Sequence, residues 1–298
     1  MAPYAFETLA VSGPVDGVLH VELNRPPLNA MNQQLWRDMK ECFQAMSTDS
    51  DVRVAVISGR GKHFTAGLDL TDTAIQAIAK RTADPARRAL LFRRLAASMQ
   101  ESFSAIERCP QPVIAAVHGA CMGAGVDLVC ACDVRHCSRD VRFAVAEVKV
   151  GLAADVGTLQ RMPKVTGNDS LLRELAYTGR EFGAQEAFSQ LGLVSRVSQA
   201  QGREAVVREA IALGEEIARQ SPVAVVGTKV NLVYSRDHSV ADGLEYAATW
   251  SGAALQTEDI PKAIGARLAA TAAGSAAARA RGSGGGGGGG GGRRGGGG

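Results

Sequence analysis

The sequence predicts an α/β fold followed by a helical C-terminal region. Three observations support this prediction. Short apolar segments that end at Gly, Pro or Asn recur in the first half of the chain, apolar residues at helical spacing follow several of them, and segments with helix start and stop signals fill the stretch after Arg161. We therefore predict a core of repeated strand–strand–helix units over residues 1–200, a helical region over 201–268 and a tail over 269–298.

The first unit is predicted to contain two strands and one helix. The strands are Phe6–Val11 and Val18–Leu23, and the turn sequence Asn-Arg-Pro-Pro ends the second. Apolar residues then recur at helical spacing, which indicates a face that packs on the core rather than a set of ligands. These residues are Leu35, Met39, Cys42 or Phe43, and Met46.

The second unit is predicted to begin with the apolar strand Val52–Ile57. The loop Phe64–Leu70 follows, and a polar segment leads to a long helix that Pro110 stops. One face of this helix is apolar and carries Leu91, Leu95, Met99, Phe103 and Ile106.

The stretch Pro112–Arg161 organises the rest of the chain. Val113–Val117 is a predicted buried strand, His118–Gly125 a glycine-rich turn, and Val126–Cys132 a helix that is apolar on all sides. The turn therefore delivers a helix N-terminus into the interior. Because the first N–H groups of a helix have no partner within it and the peptide dipoles point the same way, this N-terminus can bind an anion or an oxyanion.

Three acidic residues lie among small and apolar neighbours in this stretch. Asp127 falls in the first turn of the buried helix, and Glu147 follows predicted strands at Val134–Ser138 and Arg142–Val145. Asp155 lies in a Gly/Ala loop before a helix that starts at about Gly157. A carboxylate without hydration is costly unless it is paired or its pKa moves, so the pattern favours acid–base chemistry. The alternative is that each acid is satisfied by a helix cap or a salt bridge.

Nucleotide and metal sites are not favoured. A dinucleotide fingerprint that starts at Gly123 would need Gly where Leu128 stands, and a phosphate loop that starts at Gly119 would need Gly where Ala124 stands. Cys130 and Cys132 are two apart on a predicted helix and so face different ways, which argues against a metal site with His136 and Cys137.

Composition excludes several classes of protein. The 298 residues are 46% hydrophobic, which is enough for a full core, and the six cysteines contain no C-x-x-C pair and are typical of buried thiols in a reducing compartment. The net charge of +3 comes from the tail, because the first 268 residues carry 29 basic and 30 acidic groups. No basic face for nucleic acid is therefore predicted, and no apolar run reaches the roughly 18 residues of a membrane span.

The segments after Arg161 are predicted to be mostly helical, and several have apolar residues on more than one side. Such helices usually bury the second side against a partner subunit or another domain. They are Asn168–Thr178, Gly183–Gln190, Arg203–Arg219, Pro222–Tyr234, Val240–Ala254 and Thr257–Leu268. The tail after them is rich in Ala, Gly, Ser and Arg and is predicted to be disordered, although an Arg/Gly tail can also contact RNA.

Three motifs of this chain resemble the crotonase, or enoyl-CoA hydratase/isomerase, superfamily. They are FTAGLDL at 64–70, VIAAVHGACMGAGVDL at 113–128 and EVKVGLAADVGTLQRMPKVTGN at 147–168. The resemblance runs from about Phe6 to Leu268 and is strongest to the delta(3,5)-delta(2,4)-dienoyl-CoA isomerases. It implies a crotonase-like spiral of repeated β-β-α units with a C-terminal helical region for oligomerisation, a homotrimer or homohexamer, and a mitochondrial or peroxisomal location, although no targeting signal is visible.

The resemblance also implies an oxyanion hole for a thioester enolate. By motif match its donors are the backbone N–H groups of Leu68 and Ala124, and each is typically worth ~3 to 4 kcal/mol. The substrate-binding residues implied are Ala66, Gly67, Leu68, Asp69, Leu70 and Ala124. Relatives usually have Gly at the position of Ala124, whose methyl group therefore changes the shape of the pocket. The acyl-CoA is the substrate, and no separate cofactor or metal is implied.

The three acids distinguish the subfamilies. Hydratases resemble this chain at Asp127 and Glu147, where they carry two Glu residues that activate water, but usually have Gly at the position of Asp155. Isomerisation of a 3,5-diene to a 2,4-diene removes a proton from C2 and returns one at C6, which needs two carboxylates. We therefore predict a dienoyl-CoA isomerase of fatty-acid β-oxidation with Glu147 and Asp155 as the proton-transfer pair, Asp155 at C2, and Asp127 as a tuning residue. The alternatives are an enoyl-CoA hydratase and a non-catalytic or RNA-associated relative.

Overall fold

The structure is a computed structural model that describes residues 4–269 and Thr271. Almost all of the predicted tail over 269–298 therefore lies outside the described residues. The chain divides into two compact units, Met1–Ala248 and a second unit from Thr249 onward. In the second unit, residues 249–254 and 259–269 are helical.

The described strands are short, and all of them lie in the first 200 residues. They are β1 (Leu9–Val15), β2 (Val18–Leu23), β3 (Val54–Gly59), β4 (Val113–Val117), β5 (Ala120–Met122), β6 (Val134–Cys137), β7 (Arg142–Ala144), β8 (Phe182–Gly183) and β9 (Arg196–Val197).

The described helices follow the strands in each β-β-α repeat and then make up most of the C-terminal part. They are α1 (Gln33–Ser47), α2 (Ala74–Arg81), α3 (Pro85–Arg108), α4 (Ala124–Ala131), α5 (Thr158–Val165), α6 (Asp169–Thr178), α7 (Arg203–Ala218), α8 (Pro222–Arg236) and α9 (Val240–Ala254). A 3₁₀ turn covers Glu147–Val150, and a π-helical turn covers Glu186–Gln190.

The strands form two sheets. The larger sheet has the order β1-β2-β3-β4-β6-β9, in which every pair after β1-β2 is parallel. The smaller sheet has the order β5-β7-β8, and Thr65 joins β5 through a parallel bridge to Cys121. From β4 onward, each repeat adds one strand to each sheet before its helix: β4 and β5 precede α4, and β6 and β7 precede α5. This is the predicted spiral of β-β-α units, whereas β1 and β2 of the first repeat both lie in the larger sheet.

Both faces of the larger sheet are covered, and this explains the uninterrupted apolar strands. On β3, Ala55 and Ile57 join the main core with α1, α3 and α4, whereas Val54 and Val56 pack against α7. The helix stripe predicted from Leu35 to Met46 is fully buried, and so are Phe103 and Ile106 on α3. All six cysteines are buried and free.

Several boundaries and two small elements differ from the prediction. The first strand starts at Leu9 instead of Phe6, and the turn His118–Gly125 contains the short strand β5. The polar segment before the long helix forms the largely exposed helix α2. The buried helix begins at Ala124, two residues earlier than predicted, and this places the amide of Ala124 in its first turn.

Candidate active site

A cavity of about 250 Å³ lies between α1, α3, the loop after β3, the start of α4 and the segment from Ala146 to Val156. Most of its lining is apolar, which is typical of ligand pockets with few polar groups. The lining residues are Trp36, Ala66, Gly67, Leu68, Leu70, Met99, Gly123, Ala124, Ala146, Glu147, Lys149, Val150, Leu152, Asp155 and Val156.

Two chain segments meet at one side of this cavity. The N–H of Thr65 donates to Ala120 O at 3.0 Å, and the N–H of Met122 donates to Thr65 O at 3.1 Å, so the loop after β3 runs beside β5. Buried Asn29 holds the same loop, since its amide donates to the carbonyl oxygens of His63 and Phe64. The segment that carries Leu68 is therefore fixed next to the start of α4.

The amides of Leu68 and Ala124 are free to bind an oxyanion. Neither N–H donates a hydrogen bond to another group in the described part of the chain. The residues on either side of Leu68 are hydrogen-bonded to Met31: the Met31 N–H donates to Gly67 O, and the Asp69 N–H donates to Met31 O. The N–H of Leu68 itself therefore points away from Met31. Ala124 is the first residue of α4, where the N–H has no partner within the helix and the helix dipole favours negative charge.

Gly67 is needed for this close approach. Its φ is +85°, which disfavours other residues, and a Cβ at this position would lie 2.6 Å from Met122 O and 3.5 Å from Ala124 N. The space beside Gly67 is thus filled by the backbone that leads to the second donor. Any side chain at position 67 would push the two amides apart.

The three predicted acids lie at different depths. Asp127 is fully buried behind the cavity wall, and one of its oxygens accepts the Thr158 N–H at 2.5 Å. Glu147 is half-buried and lines the cavity beside Gly123, where a Cβ would lie 3.2 Å from Glu147 Oε1. Asp155 also lines the cavity, but its residue is exposed. The expectation that all three acids lose their hydration is therefore wrong for Asp155 in the single chain.

Burial raises the pKa values of the inner two acids. Burial raises the pKa of Asp127 to about 6, although the hydrogen bond from the Thr158 N–H opposes this. Burial, followed by the charge of Asp127, raises the pKa of Glu147 to about 7. One oxygen of each carboxyl group is buried without a hydrogen-bond partner among the described residues. The pair can therefore hold or release a proton near neutral pH.

These raised pKa values make stability depend on pH. The folded protein binds more protons than the unfolded chain between the ordinary pKa values, 3.8 and 4.5, and the raised values, about 6 and 7. The stabilising contribution of the pair is thus full below pH ~4 and is lost as pH rises through the raised values. We expect the melting temperature of Asp127→Asn/Glu147→Gln, measured against that of the wild type, to increase from about pH 5 to about pH 8. A constant difference over this range would contradict the raised pKa values.

The predicted substrate loop reaches the cavity with one exception. Ala66, Gly67, Leu68, Leu70 and Ala124 line it. Asp69 does not. It forms an ion pair with Arg25 at 2.7 Å and accepts hydrogen bonds from the N–H and hydroxyl of Thr71.

The structure adds cavity residues that the sequence did not indicate as site residues. Trp36 on α1 and Met99 on α3 form one wall, and Val150, Leu152 and Val156 form part of another. Trp36 and Met99 could be found only as apolar residues at helical spacing, which is also the signal of an ordinary core residue. Gln100, next to Met99, donates to Asp155 O at 2.7 Å and so anchors the loop that carries this acid.

Neither a metal site nor a membrane span is found among the described residues. Within residues 4–269 and Thr271, no group of three or more His, Cys, Asp and Glu side chains is arranged to hold a metal ion. None of the described helices is both long and apolar enough to cross a membrane.

The two-sheet spiral and the paired free amides define a crotonase-type protein. Comparison with known proteins agrees with this class. The family model described as Enoyl-CoA hydratase/isomerase matches residues 14–268, and the chain belongs to this family. It is 54% identical over 262 residues to a human protein named delta(3,5)-delta(2,4)-dienoyl-CoA isomerase, mitochondrial, with 88% of this chain and 79% of that protein covered.

Two further relatives extend the comparison. An Arabidopsis thaliana protein named delta(3,5)-delta(2,4)-dienoyl-CoA isomerase, peroxisomal, is 41% identical, and the match covers 84% of this chain and 90% of the relative. The crystal structure of an enoyl-CoA hydratase from Mycobacterium smegmatis superposes with a TM-score of 0.75 at 29% identity, over 88% of this chain and 96% of that one. The fold is thus shared by hydratases and isomerases, and residues within the site must distinguish them.

Proposed function

We propose that this protein isomerises 3,5-dienoyl-CoA to 2,4-dienoyl-CoA. The observation that carries the proposal is the second cavity-lining acid, Asp155, which faces the same cavity as Glu147 and the two free amides. Two carboxylates along one cavity suit a reaction that removes a proton at one carbon and adds one four carbons away. The names of the human and Arabidopsis relatives support the same substrate class, and their two locations support a mitochondrial or peroxisomal enzyme.

The reaction begins at the thioester end of the substrate. The thioester oxygen accepts hydrogen bonds from the N–H groups of Leu68 and Ala124, which stabilise the charge that develops when C2 loses its proton. Glu147 is the base in this proposal, because its Oε1 lies beside Gly123, the residue before the donor Ala124. The proton and the negative charge separate here: the proton goes to Glu147 and the charge spreads over the oxygen, C2, C4 and C6.

Protonation at C6 completes the isomerisation. Asp155 gives a proton to C6, the C3–C4 and C5–C6 double bonds of the substrate are replaced by C2–C3 and C4–C5 double bonds, and the charge leaves the thioester oxygen. Because Asp155 is exposed, it recovers its proton from solvent, and Glu147 loses its proton to regenerate the base. The sequence-based assignment placed Asp155 at C2 instead, and the position of Glu147 Oε1 beside Gly123 is our reason for reversing it.

Asp127 supports Glu147 without contacting the substrate. It is fully buried and is absent from the cavity lining, so a water molecule in the cavity would meet Glu147 and Asp155 but not Asp127. The hydratase alternative requires Glu147 and Asp127 to activate water together, and this arrangement disfavours it. The negative charge of Asp127 instead raises the proton affinity of Glu147.

The proposal is tested by two parallel assays. The protein is incubated with a 3,5-dienoyl-CoA, and formation of the conjugated 2,4-diene is followed by its absorbance. A second sample receives a 2-enoyl-CoA, and loss of the enoyl absorbance is followed. We expect turnover of the dienoyl substrate to exceed hydration by at least ~100-fold, the typical contribution of one positioned acid or base. Faster hydration would favour the hydratase, and no turnover of either would favour a non-catalytic relative.

We further propose that the protein assembles as a homotrimer or homohexamer. In the first unit, α8 and α9 expose the apolar side chains of Val223, Leu232, Val240 and Leu244. In the second unit, Leu255, Ile260, Ile264 and Leu268 are exposed as well. Apolar surface of this kind is typical of helices that pack against another subunit.

Assembly and the tail give a separate prediction. We expect the protein to sediment as a trimer or hexamer, and a variant truncated after Leu268 to keep both this state and its turnover, because no proposed site residue lies in the tail. Sedimentation velocity and the dienoyl assay measure the two properties. A monomeric wild type would contradict the assembly, and an inactive truncated variant would contradict the passive role of the tail.

A further inference from the structure

We infer that Arg161 is a positioning residue for the acid pair: its guanidinium supports the turn at Gly157 and thereby holds the Thr158 N–H on Asp127. The kinetic part of this inference rests on the proposed function, but the geometry and one of its tests do not. Arg161 lies on α5, behind the cavity wall, and contacts neither the cavity nor any of the three acids through a hydrogen bond.

The guanidinium of Arg161 is held in one place. The residue is only 9% exposed, and its Nη2 donates to Ser104 Oγ at 3.0 Å. Its Nε lies 3.3 Å from Glu107 Oε1, and its Nη2 lies 3.4 Å from Glu107 Oε2. Ser104 and Glu107 are one turn apart on α3, so the side chain is fixed against that helix.

The remaining nitrogen of the guanidinium fills the space beside Gly157. A Cβ at Gly157 would overlap Arg161 Nη1, and the φ of Gly157 is +143°, so a side chain is excluded on both counts. The guanidinium of Arg161 thus occupies the space that a side chain at Gly157 would fill. The guanidinium therefore packs against the turn, whose Gly157 carbonyl also accepts the Arg161 N–H at 2.9 Å.

This turn sets the hydrogen bond that Asp127 receives. Thr158 is the first residue of α5, and its N–H, which has no partner within the helix, donates to Asp127 Oδ1 at 2.5 Å. Asp155 lies only two residues before Gly157, so the same turn also ends the loop that carries the C6 acid. A shift of the turn would weaken the contact with Asp127 and move Asp155 at the same time.

Neutralising Glu107 does not require Arg161. Burial would raise the pKa of Glu107, but Arg236 on α8 and Arg161 together lower it, and Arg236 Nη1 lies 2.5 Å from Glu107 Oε1. One guanidinium is enough to balance one carboxylate, and buried ion pairs add little net stability. The second cation is therefore better explained by its contact with the Gly157 turn than by its charge.

The effect on the acid pair has a definite sign. Other titratable groups that face Asp127 are Glu147, Asp155 and the thiols of Cys121 and Cys130. Burial raises the pKa of each of the two thiols, so both thiols stay neutral. Without the Thr158 N–H, Asp127 holds its proton more tightly. Glu147 then faces a neutral neighbour, so its own pKa falls and the acid limb of the kcat/KM profile moves to lower pH.

The first test measures the pKa of Asp127 directly and needs no turnover. Aspartate side-chain carboxyls are labelled with carbon-13, the Asp127 signal is assigned with Asp127→Asn, and its shift is followed against pH. We expect Arg161→Met, which keeps the apolar stem, to raise the pKa of Asp127 by about 1 or more. Arg236→Met removes the other cation on Glu107 without touching Gly157 and should leave the pKa unchanged.

Arg161→Lys separates position from charge. Lysine retains the positive charge but lacks the planar group that fills the space at Gly157. The inference requires Arg161→Lys to raise the Asp127 pKa as Arg161→Met does. A wild-type pKa in Arg161→Lys would overturn the inference, since charge alone would then explain the effect. If Arg161→Met does not fold, the comparison between Arg161→Lys and Arg236→Met still decides.

The second test is kinetic. We expect kcat for a 3,5-dienoyl-CoA to fall by ~10-fold or more in Arg161→Met and Arg161→Lys, with KM within about twofold, and the acid limb to move to lower pH. Lower thermal stability with an unchanged limb and an unchanged Asp127 pKa would show that Arg161 is only a structural residue. If no variant, nor the wild type, turns over the dienoyl substrate, the proposed function fails, and the carbon-13 titration still tests the inference.

Discussion

Asp155→Asn is expected to reduce isomerisation of a 3,5-dienoyl-CoA by at least ~100-fold, the typical contribution of a positioned acid or base. Asparagine keeps the size and the hydrogen-bonding capacity of the side chain but cannot donate a proton to C6 at neutral pH. Asp155 is exposed and forms no ion pair with any residue that the structure describes, so the melting temperature should barely change. Steady-state turnover and thermal unfolding of the same preparation measure the two effects.

Three variants control for this result. Asp16→Asn makes the same chemical change at an exposed turn between β1 and β2 and should keep full activity. Glu147→Gln should be as inactive as Asp155→Asn, whereas Asp127→Asn should be milder because Asp127 does not reach the cavity. If Asp155→Asn kept near-normal dienoyl turnover while Glu147→Gln abolished hydration of a 2-enoyl-CoA, the hydratase would replace the isomerase as the better explanation.

The sequence was sufficient to predict the elements that are buried on all sides. Val113–Val117 was predicted with its observed boundaries, because a strand covered on both faces is apolar at every position. The same reasoning identified α4, whose residues are all buried. By contrast, β5 was missed because its three residues are defined by pairing with β7 and Thr65, which are distant in sequence.

The chemistry of the site was harder to predict than the motifs. Asp127, Glu147 and Asp155 have similar neighbours along the chain, yet one is fully buried, one is half-buried and one is exposed. Burial depends on neighbours in space, which local sequence does not give. Asp69 shows the same limit, because its partner Arg25 comes from the segment after β2 and draws its side chain away from the cavity.

Arg161 illustrates why positioning residues escape sequence analysis. Nothing in its local pattern connects it with Ser104 and Glu107, which lie on another helix more than fifty positions away in the chain. Its inferred effect on Asp127 is indirect, because the guanidinium contacts Gly157 and the next residue, Thr158, donates its N–H to Asp127. Only the three-dimensional contacts show that Asp127 and the ion pair between Arg161 and Glu107 lie on either side of the turn at Gly157.

The oxyanion hole gives the other large expected effect. Ala124→Pro removes one of the two proposed donors and should lower kcat for a 3,5-dienoyl-CoA by ~100-fold or more. Proline is tolerated at the first position of a helix, where the N–H has no helical partner and φ is already suitable. Ala124 occupies this position in α4, so the variant should fold with a melting temperature close to that of the wild type. The assay compares kcat and KM for the two proteins.

Ala124→Gly is the matched control for the oxyanion hole, because it keeps the N–H and removes only the methyl group of a residue that lines the cavity. It should retain activity, and any gain would appear mainly in KM, since the methyl group occupies space near the thioester without interacting more strongly with the transition state. A proline variant that folds and stays fully active would show that the Ala124 N–H does not bind the enolate oxygen. The free amide at the start of α4 would then need another explanation, and the case for thioester chemistry in this cavity would rest on Leu68 and the acids alone.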